Sequence, residues 1–248
     1  MEQRPVSRWL PGRRRPAPPT GPAWLGLGAQ RSGTTWFTEL LTQHPEVGLG
    51  TNGKKEQQLF HRVADGLVPA QEYADLFPAD GLRRGEFTPQ YLRHASLPAY
   101  AAAHLAPEVP VLVLLRDPIE RFRSAMRWAG TRGKSWPYPL QITMQTFSGF
   151  YADQLDTWAA AIGRERLTVM VYEQVRRDPQ PAVDAVWRAL GVEPVPLAQV
   201  ERESTSSSRV EWDWPEGLSD SLRVMYGPQL PRLRDDWGLD LSAWTQML

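Results

Sequence analysis

Short, continuously apolar runs alternate along this chain with stretches in which apolar residues recur every three or four positions. Residues 23–27 (Ala-Trp-Leu-Gly-Leu) read as a first strand that enters a Gly/Ser/Thr loop. Trp36, Phe37, Leu40 and Leu41 then follow at helical spacing, and His44-Pro45 closes the helix, because proline disfavours helical geometry in the residue before it. Short strands are expected at residues 47–49 and 85–87. Val111 to Leu115 is apolar throughout, the pattern of a central parallel strand covered on both faces. Asp117-Pro118 predicts a helix start, with aspartate as N-cap and proline at the first helical position. Tyr151, Leu155 and Trp158 share a helix face, residues 167–171 read as a last strand, and Asp178-Pro179 opens a helix carrying Val183, Val186, Trp187 and Leu190 up to Gly191. Residues 127–147 and 193–216 read as loops. The alternation predicts an α/β fold of three layers, a central and mostly parallel sheet flanked by helices.

Composition narrows the picture. With 248 residues, 42% of them hydrophobic, the chain suits one domain over residues 22–248 that buries its own core. Lysine plus arginine equals aspartate plus glutamate at 28 each, so no net field draws the molecule toward nucleic acid. Cysteine is absent, which excludes disulfides and thiolate metal sites and suits a reducing compartment. No His/Asp/Glu set has metal-ligand spacing, so no metal is expected, and no apolar run reaches the length of a membrane span. Residues 1–21 carry Arg4, Arg8, Arg13, Arg14 and Arg15 against Glu2 among prolines, without the apolar segment of a secretory signal. They are expected to form a disordered basic tail, with an address or partner-binding arm as the alternative. A soluble, cytoplasmic protein is the expectation.

Residues 28–35, Gly-Ala-Gln-Arg-Ser-Gly-Thr-Thr, lie between strand and helix and form a phosphate cradle, which makes the fold P-loop-like. Small residues let backbone N–H groups approach phosphate oxygens, and the helix start adds the positive end of its dipole. The G-x-x-x-x-G spacing of a nucleotide-triphosphate loop is present, but Thr34 stands where its lysine belongs, and the cation inside the loop is Arg31. No obvious magnesium-binding aspartate lies on a neighbouring strand. Chemistry other than phosphoryl transfer is indicated.

Arg31-Ser32-Gly33-Thr34-Thr35-Trp36 resembles the K-x-G-T-T signature of the sulfotransferases, whose donor is 3′-phosphoadenosine 5′-phosphosulfate (PAPS). Leu114-Leu115-Arg116-Asp117-Pro118, continuing through Arg121 to Ser124, resembles their second signature. The resemblance extends loosely over residues 22–245 through Tyr172-Glu173, Asp178-Pro179 and the stretch 240–244. It implies that PAPS is the co-substrate, that Arg31, Ser32, Gly33, Thr34, Thr35 and Trp36 face its 5′-phosphosulfate, and that Arg116 and Ser124 clamp its 3′-phosphate. Arg31 occupies the family's lysine position. Arginine stays charged and grips oxyanions through two donors but cannot serve as a proton donor, so its expected role is electrostatic.

Lys54 to Phe60 resembles the K-E-x-x-x-F segment of the carbohydrate (heparan-type) branch, which implies Glu56 as catalytic base and Lys55 as stabiliser of the transferring group. The alternative is a solvated charge cluster. His94 is the rival base, just past residues 86–92, which resemble a substrate-edge segment of the same branch; the cytosolic small-molecule enzymes use a histidine from a comparable stretch. Ser207 and Arg209 belong either to a late loop over the donor's adenosine or 3′-phosphate or to a linker. Of eleven tryptophans, Trp36 and Trp187 suit core packing, while Trp128 and Trp136 flank a loop and are candidates for facing an acceptor. The expected function is sulfuryl transfer to a saccharide or small natural product; the competitors are a small-molecule P-loop kinase and a nucleotide-binding module without catalysis.

Overall fold

The computed structural model describes residues 21–131, 138–198 and 214–247. Five strands, β1 (Trp24–Gly28), β2 (Val47–Leu49), β3 (Arg83–Phe87), β4 (Val111–Leu115) and β5 (Leu167–Val171), form one sheet in the order β2-β3-β1-β4-β5, with every pairing parallel. The helices that bear on the site are α1 (Thr34–Leu41), α2 (Phe60–Ala64), α3 (Ala70–Ala74), α4 (Leu97–His104), α5 (Pro118–Thr131), α6 (Tyr138–Phe147), α7 (Tyr151–Ile162), α8 (Tyr172–Arg177), α9 (Gln180–Ala189) and α10 (Leu218–Tyr226). Parallel neighbours need crossover connections, so every strand ends on the same edge, and the loops that follow β1, β3 and β4 gather there.

Side chains alternate across the sheet and divide the core in two. Leu25, Leu27, Val111, Val113 and Leu115 face one layer with Phe122, Leu155 and Trp158. Trp24, Leu112 and Leu114 face the other with Phe37, Val186 and Trp187. All five residues of β4 are completely buried, as its apolar run predicts. The close β1/β3 approach depends on Gly85, where a Cβ would come within 2.3 Å of the Trp24 carbonyl oxygen.

Two expectations need revision. β3 begins at Arg83, two residues before the expected start. The expected loop over residues 127–147 is largely helical, because α5 continues to Thr131 and α6 spans Tyr138–Phe147. Tertiary contacts hold α6: the fully buried Arg121 of α5 donates one guanidinium nitrogen to the Gln145 side chain at 2.9 Å and another to the Gln145 carbonyl oxygen. The basic tail, apart from Gly21, lies outside the described residues.

Candidate functional site

The site is assembled on the loop between β1 and α1. Ala29 N–H is anchored to the Leu114 carbonyl oxygen at 2.8 Å, which ties the loop to the end of β4. Arg31 (φ 69°) and Gly33 (φ 81°) then turn the chain through the left-handed region. A Cβ at Gly33 would lie 2.3 Å from Cε2 of Tyr172, so that position accepts only glycine while the tyrosine keeps its place. Among the described residues no side chain caps α1, and its first-turn N–H groups can face an anion. Ser32 is completely buried, and its hydroxyl has no partner among the described residues.

Three cations line the strand ends beside this loop. Arg31 donates from Nε to Ser124 Oγ at 3.2 Å, and its guanidinium lies 5.8 Å from the Trp128 ring. Burial, and then the neighbouring Arg116, hold its pKa below the ordinary value, while Glu56 opposes them. Arg116, at the end of β4, reaches the Arg31 carbonyl oxygen at 3.4 Å and Glu120 Oε2 at 3.4 Å, and lies 5.3 Å over the Tyr172 ring. The hydroxyl of Tyr151 donates to the Arg116 carbonyl oxygen at 3.0 Å. Lys55 donates from Nζ to Thr34 Oγ1 at 3.1 Å and pairs with Glu56 at 2.8 Å. Burial pushes its ammonium pKa down, and Glu56 pulls it back up.

Helix α5 supplies the other half. Asp117 caps it, its Oδ1 accepting from the N–H groups of Ile119 at 2.9 Å and Glu120 at 3.2 Å. The cap is held by Glu173, which accepts from Asp117 N–H at 3.0 Å and from Trp244 Nε1 at 3.0 Å, and by Gln246 N–H, which donates to Asp117 Oδ2 at 2.9 Å. Stretches 172–173 and 240–244 therefore meet behind the Arg116 turn.

The structure thus brings together Arg31, Ser32, Gly33, Thr34, Lys55, Glu56, Arg116 and Ser124. Thr35 is exposed, and Trp36 packs edge-on to Tyr172 at 6.3 Å between ring centroids. His94 is held elsewhere, by Asp65 at 3.5 Å, Ser96 at 3.1 Å and the His61 ring at 5.3 Å, none of which belongs to the loop. Ser207, Arg209 and Trp136 lie outside the described residues. The Lys55–Thr34 bond, the Arg31–Ser124 bond and the Arg31–Trp128 stacking were not legible in the sequence. The Arg116–Glu120 pair was, from its i,i+4 spacing. No group of metal-ligating side chains occurs among the described residues. Such a site can hold a ligand with two anionic ends and present a carboxylate, Glu56, next to one of them.

The domain description "Sulfotransferase domain" matches residues 24–209. Relatives include the bifunctional heparan sulfate N-deacetylase/N-sulfotransferase 4 of Mus musculus, 27% identical over 198 residues, and N-deacetylase/N-sulfotransferase 3 of Homo sapiens, 27% identical over 204 residues. Each alignment covers 70% of this chain and 22% of the relative, so the chain spans about a fifth of those proteins. Among solved structures, a sulfotransferase from Alicyclobacillus acidocaldarius superposes with a TM-score of 0.71 over 90% of this chain and 98% of that one, at 24% identity. The sulfotransferase domain of the Synechococcus PCC 7002 olefin synthase superposes with a TM-score of 0.50 over 75% and 78%, at 18% identity.

Proposed function

This chain belongs to the sulfotransferase family, and we propose that it moves a sulfuryl group from PAPS to a hydroxyl of a saccharide or small natural product by direct in-line transfer. The observation that carries this reading is the tethering of one loop at both ends. Arg31 reaches Ser124 at 3.2 Å on one side, and Lys55 reaches Thr34 at 3.1 Å on the other. A donor with a phosphate at one end and a phosphosulfate at the other needs such a pair of contact sets. The local chemistry fits it: Ser32 offers a buried hydroxyl with no described partner, no described side chain caps α1, and Gly33 lets the loop turn through the left-handed region against Tyr172.

Bound PAPS would supply the activated sulfuryl group. Arg116 and Ser124 hold the 3′-phosphate. Ser32, Gly33, Thr34 and Thr35 hold the 5′ side through N–H groups and hydroxyls, and Trp36 braces that end against Tyr172. Arg31 stays charged and stabilises the oxyanions of the 5′-phosphosulfate. Lys55 would stabilise the negative charge that grows on the bridging oxygen as its bond to sulfur breaks. Glu56 accepts the proton that the acceptor hydroxyl loses as its oxygen bonds to sulfur. The products are the sulfated acceptor and 3′,5′-adenosine bisphosphate.

His94 receives no role, because its polar partners, Asp65 and Ser96, are not residues of the loop. The relatives named for heparan sulfate support a saccharide acceptor. Calorimetric titration tests the donor assignment. The wild-type chain is expected to bind 3′,5′-adenosine bisphosphate and to ignore ATP with magnesium, and Arg116→Ala is expected to weaken the bisphosphate by roughly tenfold or more. Preference for ATP, or unchanged affinity in Arg116→Ala, overturns the reading.

A further inference from the structure

Behind Lys55 and Glu56 lies a carboxylate that substrate chemistry does not require. Glu86, on β3, is completely buried, and burial pushes its pKa up. A carboxylate so placed is tolerated only when its lone pairs are filled. Four donors fill them: Gln57 N–H at 2.9 Å and the Thr88 hydroxyl at 2.5 Å on Oε2, and the hydroxyls of Tyr73 at 2.8 Å and Tyr91 at 3.0 Å on Oε1. Two of these hydroxyls pass the connection on. Thr88 Oγ1 accepts from Gln58 N–H at 3.4 Å, and Tyr91 OH accepts from Phe60 N–H at 3.1 Å.

One carboxylate therefore captures, directly or through one hydroxyl, the backbone N–H groups of residues 57, 58 and 60. Residues 50–59 lie in no helix or strand, so Gln57 and Gln58 have no ladder to satisfy them. Gln58 also sits in the left-handed region at φ 54°, a conformation that needs outside support. The chain just ahead is pinned to the same strand, since Phe87 N–H donates to the Lys55 carbonyl oxygen at 2.9 Å. Lys55 and Glu56 stand between these anchors.

We propose that Glu86 is a positioning residue, whose buried carboxylate fixes residues 57–60 and thereby aims Lys55 and Glu56 at the phosphate loop. The inference rests on the reading of Lys55 and Glu56 given above. Tyr73 provides an internal control. It makes the same kind of buried bond to Glu86 but relays it to no amide of the segment.

The test compares Thr88→Val, Tyr91→Phe, Tyr73→Phe and Glu86→Gln by amide hydrogen exchange over residues 54–60, by bisphosphate titration, and by turnover of PAPS with a heparan oligosaccharide. Thr88→Val and Tyr91→Phe are expected to speed exchange of the segment roughly tenfold and to lower kcat by about as much, with bisphosphate affinity kept within about twofold. Tyr73→Phe is expected to change exchange and kcat clearly less than the two relay variants do. Glu86→Gln, which turns a donor toward Gln57 N–H or Thr88, is expected to show the largest kcat loss. The relay variants keep the proposal testable should Glu86→Gln fail to fold. Equal effects in Tyr73→Phe and the relay variants, or unchanged exchange in the latter, overturn the inference while an active wild type preserves the functional reading. A wild type that binds the bisphosphate yet turns over no PAPS overturns that reading and the catalytic role of Glu86 with it.

Discussion

Lys55 and Glu56 hold each other at 2.8 Å while Lys55 also reaches Thr34, so the pair is more than a solvated charge cluster. The partial burial of both side chains strengthens the attraction between the Lys55 ammonium and the Glu56 carboxylate. Glu56→Gln keeps the shape and removes the basicity. It is expected to lower kcat by roughly 10²–10⁴ with bisphosphate affinity retained, whereas His94→Asn should stay within about twofold of wild type in the same PAPS assay. A larger loss in His94→Asn would move the base to that histidine. Residue types and order were readable here: Lys-Glu after a short strand, arginine in the loop, arginine and serine after β4. Their contacts were not, because Arg31 and Ser124 are 93 positions apart and Lys55 and Thr34 are 21 apart.

Helix α5 shows how far local rules extend at the scale of an element. Aspartate before proline predicted its start, and the Asp117 cap is there with both N–H groups in reach. The same carboxylate also takes Gln246 N–H from the far end of the chain, which no local rule anticipates. Asp117→Ala is expected to cost about 1 kcal/mol for the cap, and more for the stranded Gln246 amide, in chemical denaturation. Because Arg116 precedes the cap and Ser124 lies two turns beyond it, bisphosphate affinity should fall together with stability. Helix α6 is the counterexample. Its residues 138–147 mix proline, threonine and glutamine without a clear apolar stripe, and the helix follows from burial against Arg121 rather than from propensity.

For the molecule as a whole, the parallel sheet sets all loop-bearing strand ends on one edge, and a ligand lying across that edge touches β1, β4 and α5 at once. Bisphosphate at about a hundredfold over its Kd contributes about 2.7 kcal/mol to the folded state. For a domain of this size the melting temperature should rise by roughly 5–10 °C, read by differential scanning calorimetry. With its affinity weakened about tenfold, Arg116→Ala should show only about half of that rise at the same concentration. The strand positions, the three layers and the phosphate loop were determined by the sequence itself, because apolar period, glycine content and capping act over a few residues and are set by local sterics and burial. Which side chains meet over the loop was decided only by the tertiary structure, because those contacts join segments far apart in the chain and depend on strand order. Glu86 makes the same point: the sequence presents an ordinary glutamate beside a threonine and a proline, and only its burial between Tyr73, Tyr91 and the 57–60 backbone makes it the anchor of Lys55 and Glu56.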